Sequence, residues 1–216
     1  MTHEERTVLS VPESETTPAV QLEACWDMPG EPQRVAVLCH PHPQQRGTMN
    51  APLMVSLTDA LVARSFAVLR FNFRGVGESS GEHDFGHGEM DDVATAVNAA
   101  GRGYPGLEVG IAGWSFGAAT SLRWQAQSQN QLPWVGIAPP INSSRSLPLP
   151  GPGELATAPR TVILGDRDQF ATIEDSAEYS DSIDAELHVL KGSDHFFYFR
   201  EEKVAGLVAA GLSRQA

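Results

Sequence analysis

The sequence predicts an α/β fold, in which helices cover both faces of a mostly parallel β-sheet. Short apolar runs alternate along the chain with longer segments whose apolar residues recur at helical spacing. This alternation is typical of parallel sheets, because each parallel strand needs a crossover helix before the next one. The 216 residues, 41% hydrophobic and with 20 glycines, suit one ordered domain with a large core. We therefore expect a single domain over residues 1–216.

The individual elements are predicted in chain order. The first two strands, Thr7–Val11 and Val20–Trp26, form an antiparallel pair joined across Pro12–Pro18. The buried strands predicted after them are Arg34–Cys39, Phe66–Phe73, Leu107–Ala112, Trp134–Ala138, Arg160–Leu164 and Glu186–Leu190. The predicted helices are Ala51–Ser65, Gly88–Arg102, Phe116–Gln129, Ile173–Ser182 and Phe196–Leu212.

Composition and charge argue against several classes of protein. The formal net charge of −12, without a basic cluster, disfavours binding to nucleic acid or to an anionic membrane. Cys25 and Cys39 are the only cysteines, which argues against a disulfide framework and favours a reducing compartment. The polar, acidic start lacks the apolar region of a secretion signal, and no run has the length of a membrane span. We expect a cytoplasmic protein that acts on a small molecule.

The segment Gly113–Gly117 has the pattern Gly-x-Ser-x-Gly and places Ser115 between a predicted strand and a predicted helix. Its glycines let the strand and the helix approach closely, while the serine takes a strained turn that exposes its hydroxyl. So short a pattern also arises by chance. Its position after a buried strand and before a helix nevertheless predicts that Ser115 is a catalytic nucleophile.

A serine hydroxyl needs a base, and the base needs an orienting carboxylate. Asp168 and His195 follow in the chain, each just past the end of a predicted strand. Parallel strands end at one edge of the sheet, so these loops can converge on Ser115. A loop aspartate is usually a turn residue and an isolated histidine usually a surface or core residue, but here both have the required place and order. Asp166 is the alternative acid; its place directly after a glycine suits a turn cap, so we prefer Asp168.

The third requirement of the chemistry is a pair of backbone donors for an oxyanion. His42 lies between Pro41 and Pro43, which have no N–H group, so it carries the only donor between them. We predict an oxyanion hole made by the N–H groups of His42 and Phe116. The segment is also compatible with a stiff loop that has no chemistry. A metal site at His40 and His42 is a further alternative, but it lacks an evident third ligand and we expect no metal.

Two other segments allow more than one interpretation. Residues Arg74–Gly81 resemble a phosphate-binding loop, but position 80 is a serine where Gly-x-Gly-x-x-Gly needs glycine. We interpret this segment as a tight turn at the rim of the site. The aromatic run Phe196–Phe199 fits either an acyl pocket or, at the start of a helix, the core, and we favour the core. Phe196 and His40 are the candidates for lining a substrate pocket, and no cofactor is expected.

Taken together, these motifs resemble those of small bacterial α/β-hydrolases related to dienelactone hydrolases and short carboxylesterases. The motifs that carry the resemblance are His40–Pro43, Gly47–Asn50, Phe71–Gly77, the Ser115 turn, Gly165–Asp168 and Ser193–Phe197. The resemblance implies an α/β-hydrolase fold with the triad order Ser115, Asp168, His195. Dienelactone hydrolases have cysteine as the nucleophile, so Ser115 favours ordinary ester hydrolysis.

We therefore expect a serine hydrolase that cleaves small carboxylic esters, or related thioesters and lactones, through an acyl-enzyme. The alternative is a scaffold or binding module that keeps the fold without turnover. The stretch Pro139–Gly153 lies where many α/β-hydrolases insert a helical lid, and it is rich in proline and glycine. Since proline breaks helix interiors, the sequence predicts no substantial lid.

Overall fold

In the computed structural model, which describes residues 3–13, 18–141 and 147–214, eight strands form one sheet. The strands are β1 His3–Val11, β2 Val20–Met28, β3 Arg34–Cys39, β4 Phe66–Phe71, β5 Glu108–Trp114, β6 Trp134–Ile137, β7 Arg160–Gly165 and β8 Ala185–Leu190. Their order across the sheet is β1-β2-β4-β3-β5-β6-β7-β8. The pairs β1/β2 and β2/β4 are antiparallel, and the strands from β4 to β8 across the sheet pair in parallel.

Helices cover both faces of this sheet. The helices of the described residues are α1 Pro52–Val62, α2 His87–Gly103, α3 Phe116–Ser128, α4 Ile173–Ser182 and α5 Glu201–Leu212. Leu57 of α1 and Val208 of α5 lie in one apolar cluster. Val93 of α2, Leu122 of α3 and Tyr179 of α4 lie in the cluster on the opposite face. The predicted fold class, a mostly parallel sheet between two helical layers, is confirmed.

Burial of the strands follows from these two layers. Every residue of β4, β6 and β7 is buried, whereas the edge strand β8 buries only Leu190 fully. A strand covered on both faces needs apolar residues on both, which is why the central strands are near-continuous apolar runs and not alternating ones.

The start of α5 corrects the predicted helix Phe196–Leu212. The helix begins at Glu201, because Phe197 and Phe199 take left-handed φ angles of 55° and 62° that a right-handed helix excludes. The Asp194 carboxylate accepts hydrogen bonds from the N–H groups of Phe196 and Phe197, at 3.0 and 3.1 Å, and holds this turn. The aromatic run is therefore a loop at the edge of the sheet where the parallel strands end.

The first strand is longer than predicted. It begins at His3, not at Thr7, because its pairing with β2 continues to His3 opposite Met28.

Residues 14–17 of the predicted connection Pro12–Pro18 lie outside the described residues, as do residues 142–146 of the stretch for which no lid is predicted. In the described part between β6 and β7, the only helical segment is a 3-10 turn, Pro152–Glu154. No helix in the described ranges is both long enough and apolar enough to cross a bilayer.

Candidate active site

The predicted site residues follow the carboxyl ends of four parallel strands. His42 follows β3, Ser115 follows β5, Asp168 follows β7 and His195 follows β8. Because the four strands run in the same direction, all four loops lie at the same edge of the sheet.

Ser115 lies on a strained turn between β5 and α3. Its backbone has φ 53° and ψ −114°, a combination that is rare for a residue with a side chain. The flanking glycines make this turn possible. A methyl group on Gly113 would lie 2.4 Å from the carbonyl carbon of Gly117, and one on Gly117 would lie 2.3 Å from the Cys39 carbonyl oxygen. The turn therefore needs glycine at both positions, and it presents Ser115 ahead of the first turn of α3.

Asp168 and His195 form a buried hydrogen bond. His195 Nδ1 lies 2.8 Å from Asp168 Oδ2, and the Asp168 side chain has no exposed surface. The other carboxylate oxygen accepts from the N–H groups of Phe170 and Ala171, at 2.8 and 3.2 Å, which fixes the orientation of the carboxylate. With Nδ1 donating to Asp168, the nitrogen left for proton exchange is His195 Nε2.

Asp166 has a different partner. Its carboxylate accepts a 2.6 Å hydrogen bond from the Gly192 N–H, and the Arg167 N–H donates to the Ser193 carbonyl oxygen at 2.9 Å. These bonds join the loop after β7 to the loop after β8. The structure thus gives Asp166 a role in a turn and pairs Asp168 with His195.

Trp114, the residue before Ser115, contacts the loop that carries His195. The Trp114 indole N–H donates to the His195 carbonyl oxygen at 3.2 Å, so the His195 backbone packs on the residue that precedes Ser115. Among the described residues the Ser115 hydroxyl makes no hydrogen bond. The hydrogen bond between a serine nucleophile and its histidine base often forms or shortens only when substrate binds.

The predicted oxyanion donors lie on two segments in contact. The His42 and Phe116 rings are 5.2 Å apart between centroids, and a methyl group on Gly117 would lie 2.6 Å from the His40 carbonyl oxygen. The Phe116 N–H belongs to the first turn of α3, where backbone N–H groups have no partner within the helix. The His42 carbonyl oxygen accepts from the Gly47 N–H at 3.0 Å, which closes the loop around His42.

His40 is a correction to the predicted pocket lining. Its side chain is fully buried, its Nε2 accepts from the Phe73 N–H at 3.0 Å, and its Nδ1 lies 2.7 Å from the Pro41 carbonyl oxygen. Burial lowers the pKa of His40 to about 4, so the ring is neutral and donates from Nδ1. With both nitrogens engaged, His40 joins the loops after β3 and β4 and is available neither to substrate nor to a metal ion.

Phe196, the other predicted pocket residue, is partly exposed beside His195, with 5.7 Å between the ring centroids. Phe170 is half-exposed on the same histidine, at 4.6 Å, and sequence reasoning missed it. The signal was a large apolar side chain in a loop two residues after the predicted acid.

Sequence reasoning also missed His83. Its side chain is only 7% exposed, and its ring lies 5.1 Å from His42 and 5.3 Å from Phe116. Nδ1 is 2.6 Å from Glu89 Oε1, but neither ring nitrogen has an aligned hydrogen bond within the described residues. Nothing in the local sequence distinguishes this histidine, because its position depends on how the loop after β4 packs.

The segment Arg74–Gly81 packs on β2. The Ser79 and Ser80 hydroxyls accept from the N–H groups of Glu23 and Gln21, at 2.9 and 2.8 Å, and the Ser79 hydroxyl donates to the Asn72 carbonyl oxygen. Because these hydroxyls bond to backbone N–H groups of β2, we interpret the segment as a tight turn and not as a phosphate-binding loop.

A cluster of possible metal ligands among the described residues lies on β1 and β2, formed by Glu4, Cys25 and Asp27. The Arg70 guanidinium donates to Asp27 at 2.7 Å and pairs with Glu4 at 3.3 Å. The Arg70 guanidinium therefore already pairs with both carboxylates, and we interpret the cluster as a structural ion-pair network.

Comparison with known proteins identifies a family. The family model described as "Serine aminopeptidase, S33" matches residues 30–152, more than half of the chain. A protein of Rickettsia prowazekii described as uncharacterized is 30% identical over 176 residues, which are 78% of this chain and 74% of the relative.

Solved structures resemble nearly the whole chain. An α/β serine hydrolase homologue from Coxiella burnetii superposes with a TM-score of 0.81 at 28% identity, covering 97% of each chain. A serine hydrolase without lid from Xanthomonas campestris gives a TM-score of 0.81 at 26% identity, covering 97% of this chain and 94% of its own. An esterase from Pyrococcus furiosus shares the fold at 20% identity, with a TM-score of 0.79 and coverage of 98% and 92%.

These similarities confirm the α/β-hydrolase fold predicted from the sequence. The strained serine turn and the lidless neighbour agree with the same conclusion. The chain belongs to the serine aminopeptidase S33 family of α/β serine hydrolases.

Proposed function

We propose that this protein is a serine esterase that hydrolyses small carboxylic esters through an acyl-enzyme, with Ser115, His195 and Asp168 as its triad. The observation that carries the proposal is the buried 2.8 Å hydrogen bond between His195 Nδ1 and Asp168 Oδ2, at the sheet edge that holds the Ser115 turn. A neutral histidine held in this tautomer is what a serine nucleophile requires as its base.

In the acylation step, His195 Nε2 takes the proton of the Ser115 hydroxyl as the oxygen attacks the ester carbonyl carbon. The carbonyl oxygen becomes an oxyanion, which accepts hydrogen bonds from the N–H groups of Phe116 and His42. The ester C–O bond then breaks, and the imidazolium gives its proton to the leaving alkoxide. Asp168 stabilises the imidazolium and keeps its charge without taking a proton.

In the deacylation step, His195 Nε2 takes a proton from water as the water attacks the acyl-enzyme carbonyl. Collapse of the second oxyanion releases the carboxylic acid, and the proton returns to the Ser115 oxygen. The cycle consumes one water and one ester and leaves the protein unchanged. The proposed steps use side chains and backbone of this chain alone.

Small esters are favoured by the described part of the stretch between β6 and β7. A 3-10 turn is its only helical segment there, and the neighbour from Xanthomonas campestris is described as lacking a lid. Ester hydrolysis is favoured over the dienelactone chemistry of the resembling enzymes because the nucleophile is Ser115 in place of their cysteine. Thioesters and lactones fit the same machinery.

The experiment is active-site labelling and turnover with Ser115→Ala and His195→Ala. Wild-type protein is expected to react with a fluorophosphonate probe and to hydrolyse p-nitrophenyl acetate. Each variant should lose roughly 10⁴–10⁶ in kcat and all labelling, while its circular dichroism and melting temperature stay close to wild type. A folded Ser115→Ala protein with near-wild-type turnover would exclude the proposal.

The same assay tests the alternative of a non-catalytic scaffold. A wild-type protein that is folded but neither labelled nor active would favour the scaffold. The substrate panel should pair esters with a thioester, a lactone and an aminoacyl amide, since the family carries the name of an aminopeptidase. Faster turnover of the amide than of its matched ester would show a peptidase instead of an esterase.

A further inference from the structure

Two partly exposed aromatic rings pack against the histidine of the proposed triad. The Phe170 ring centroid lies 4.6 Å from that of His195 with an interplanar angle of 71°, and the Phe196 centroid lies at 5.7 Å with an angle of 86°. Phe170 is 50% exposed and Phe196 is 39% exposed. They come from two different loops, after β7 and after β8. Both rings thus combine contact with His195 and an apolar surface open to solvent.

The Phe196 ring is held in place by neighbours of its own. It packs edge-on against the buried Trp114 at 6.3 Å and stacks on Tyr198 at 5.7 Å. Phe197, between the two stacked residues, has a left-handed φ of 55° and is fully buried. A bulky residue at positive φ is unfavourable, and its burial is what maintains this conformation. The turn therefore displays two aromatic rings together on the His195 side of the site.

The chemistry of acyl transfer decides which part of the substrate meets these rings. In the proposed mechanism His195 Nε2 gives its proton to the leaving oxygen, so the leaving alcohol must lie beside His195. The acyl carbonyl instead points toward the backbone donors of Phe116 and His42. Side chains that pack on His195 therefore contact the alcohol part of the ester in preference to its acyl part.

We propose that Phe170 and Phe196 form a leaving-group subsite that selects esters of aromatic alcohols. This inference rests on the proposed function and names its substrate class. Both rings make steep angles with the imidazole, 71° for Phe170 and 86° for Phe196. An aromatic leaving group held beside His195 would lie within reach of these two rings. Aromatic groups gain more from such contacts than their buried area alone supplies, and they lose little conformational freedom on binding. This gain favours a ring over a flexible chain.

The test compares three acetate esters whose alcohols have similar acidity with one ester that carries its aromatic ring on the acyl side. Benzyl acetate carries an aromatic alcohol, while cyclohexylmethyl acetate and ethyl acetate carry saturated ones. Methyl phenylacetate moves the aromatic ring to the acyl side. Wild-type kcat/KM is expected to be highest for benzyl acetate. The Phe170→Leu and Phe196→Leu variants should each lower the ratio of kcat/KM for benzyl acetate to that for ethyl acetate by about three- to tenfold.

Phe199→Leu is the matched control. Phe199 belongs to the same aromatic run but is 90% exposed and makes no ring contact within the described residues, so this variant should leave the benzyl-to-ethyl ratio unchanged. The rate of fluorophosphonate labelling, measured on each variant, reports whether Ser115 and His195 remain functional. A melting curve reports the fold.

Three outcomes would overturn the subsite. A loss of the same factor for every ester would mean that the rings only hold His195 in place. A selective loss on methyl phenylacetate would place the rings on the acyl side. A wild-type preference for cyclohexylmethyl acetate over benzyl acetate would show an apolar surface without aromatic selection. In all three the protein still labels and turns over, whereas failure of the proposed esterase function would abolish both in the wild type.

Discussion

The two aspartates of the segment after β7 show how a small shift along the chain decides what a carboxylate reaches. Asp166 lies in the turn and accepts from the Gly192 N–H at 2.6 Å. Asp168, two residues later, is far enough from the strand end for its carboxylate to turn toward the loop after β8. There it meets His195 Nδ1 at 2.8 Å. The same residue type thus supports a loop in one position and orients an imidazole in the other.

Asp168→Asn is expected to lower kcat by about 10³–10⁴, because an amide in place of the carboxylate favours the wrong tautomer of His195. Asp166→Asn keeps an oxygen that accepts from the Gly192 N–H, so its kcat should fall less than about tenfold. Ester hydrolysis by the two purified variants measures both effects. The reverse ranking would show that Asp166 is the acid.

His40 makes the stability of the protein depend on pH. Burial lowers its pKa from 6.5 to about 4, with the neighbouring His42 acting in the same direction. The unfolded chain therefore binds the proton more readily than the folded one. The contribution of His40 to the free energy of unfolding is complete above pH 6.5 and is lost as the pH falls toward 4. The loss amounts to about 3 kcal/mol.

Urea unfolding of wild type and His40→Gln at several pH values between 7.5 and 4 measures this contribution. Glutamine offers the Phe73 N–H an acceptor but does not titrate, so the variant should lose less stability than wild type over this range. Parallel curves for the two proteins would contradict the assignment, because they would mean that His40 does not titrate on unfolding.

At the scale of the elements, β5, α3 and the end of β3 form one packing unit around Ser115. The first turn of α3 crosses the end of β3 so closely that Gly117 has no room for a side chain. This approach is what sets the Phe116 backbone beside the His40–Pro43 loop. The geometry of the proposed oxyanion hole therefore depends on a glycine that takes no part in the chemistry.

Gly117→Ala should destabilise the protein by roughly 1–3 kcal/mol and lower kcat, because the added methyl group, 2.3 Å from the Cys39 carbonyl oxygen, forces α3 away from β3. Gly101→Ala is the control. Gly101 lies in α2, and a methyl group there would meet nothing within 4 Å. The control should be neutral or up to about 1 kcal/mol more stable. Equal stabilities of the two variants in urea would refute the steric argument.

At the scale of the whole molecule, the described end of the stretch between β6 and β7 is fastened to the helices below it. The Arg123 guanidinium donates to the Pro148 carbonyl oxygen at 2.7 Å and pairs with Glu154 at 2.7 Å. The Tyr179 hydroxyl donates to the Pro150 carbonyl oxygen at 2.9 Å. Because its described end is held at these points, we expect this stretch not to move over the site as a lid does.

We therefore expect kcat/KM on p-nitrophenyl esters to peak at short acyl chains and to fall from butyrate toward decanoate. Each buried methylene gains about 0.8 kcal/mol, and we expect a site that no lid covers to leave most of a long chain unburied. Rates on tributyrin measured across its solubility limit should rise smoothly. A maximum at long chains, or a jump in rate above that limit, would show an enclosing tunnel or a mobile cover.

The sequence by itself determined the fold class and the places of the candidate functional residues along the chain. Both depend on local patterns: apolar runs mark strands buried on both faces, and the residues after them lie at one edge of a parallel sheet. The Gly-x-Ser-x-Gly turn is local as well, because its glycines are needed for an approach between neighbouring elements. These features could be predicted without knowing how distant loops pack.

Only the tertiary structure decided which side chains meet. That Asp168 contacts His195 depends on the pairing of β7 with β8, in which Gly165 lies opposite Leu190. The burial of His40, the position of Phe170 on the imidazole and the late start of α5 likewise depend on loops far apart in sequence. A loop residue has no periodic pattern that marks its neighbours. Its partners are set by the balance of packing and hydrogen bonds in the folded chain.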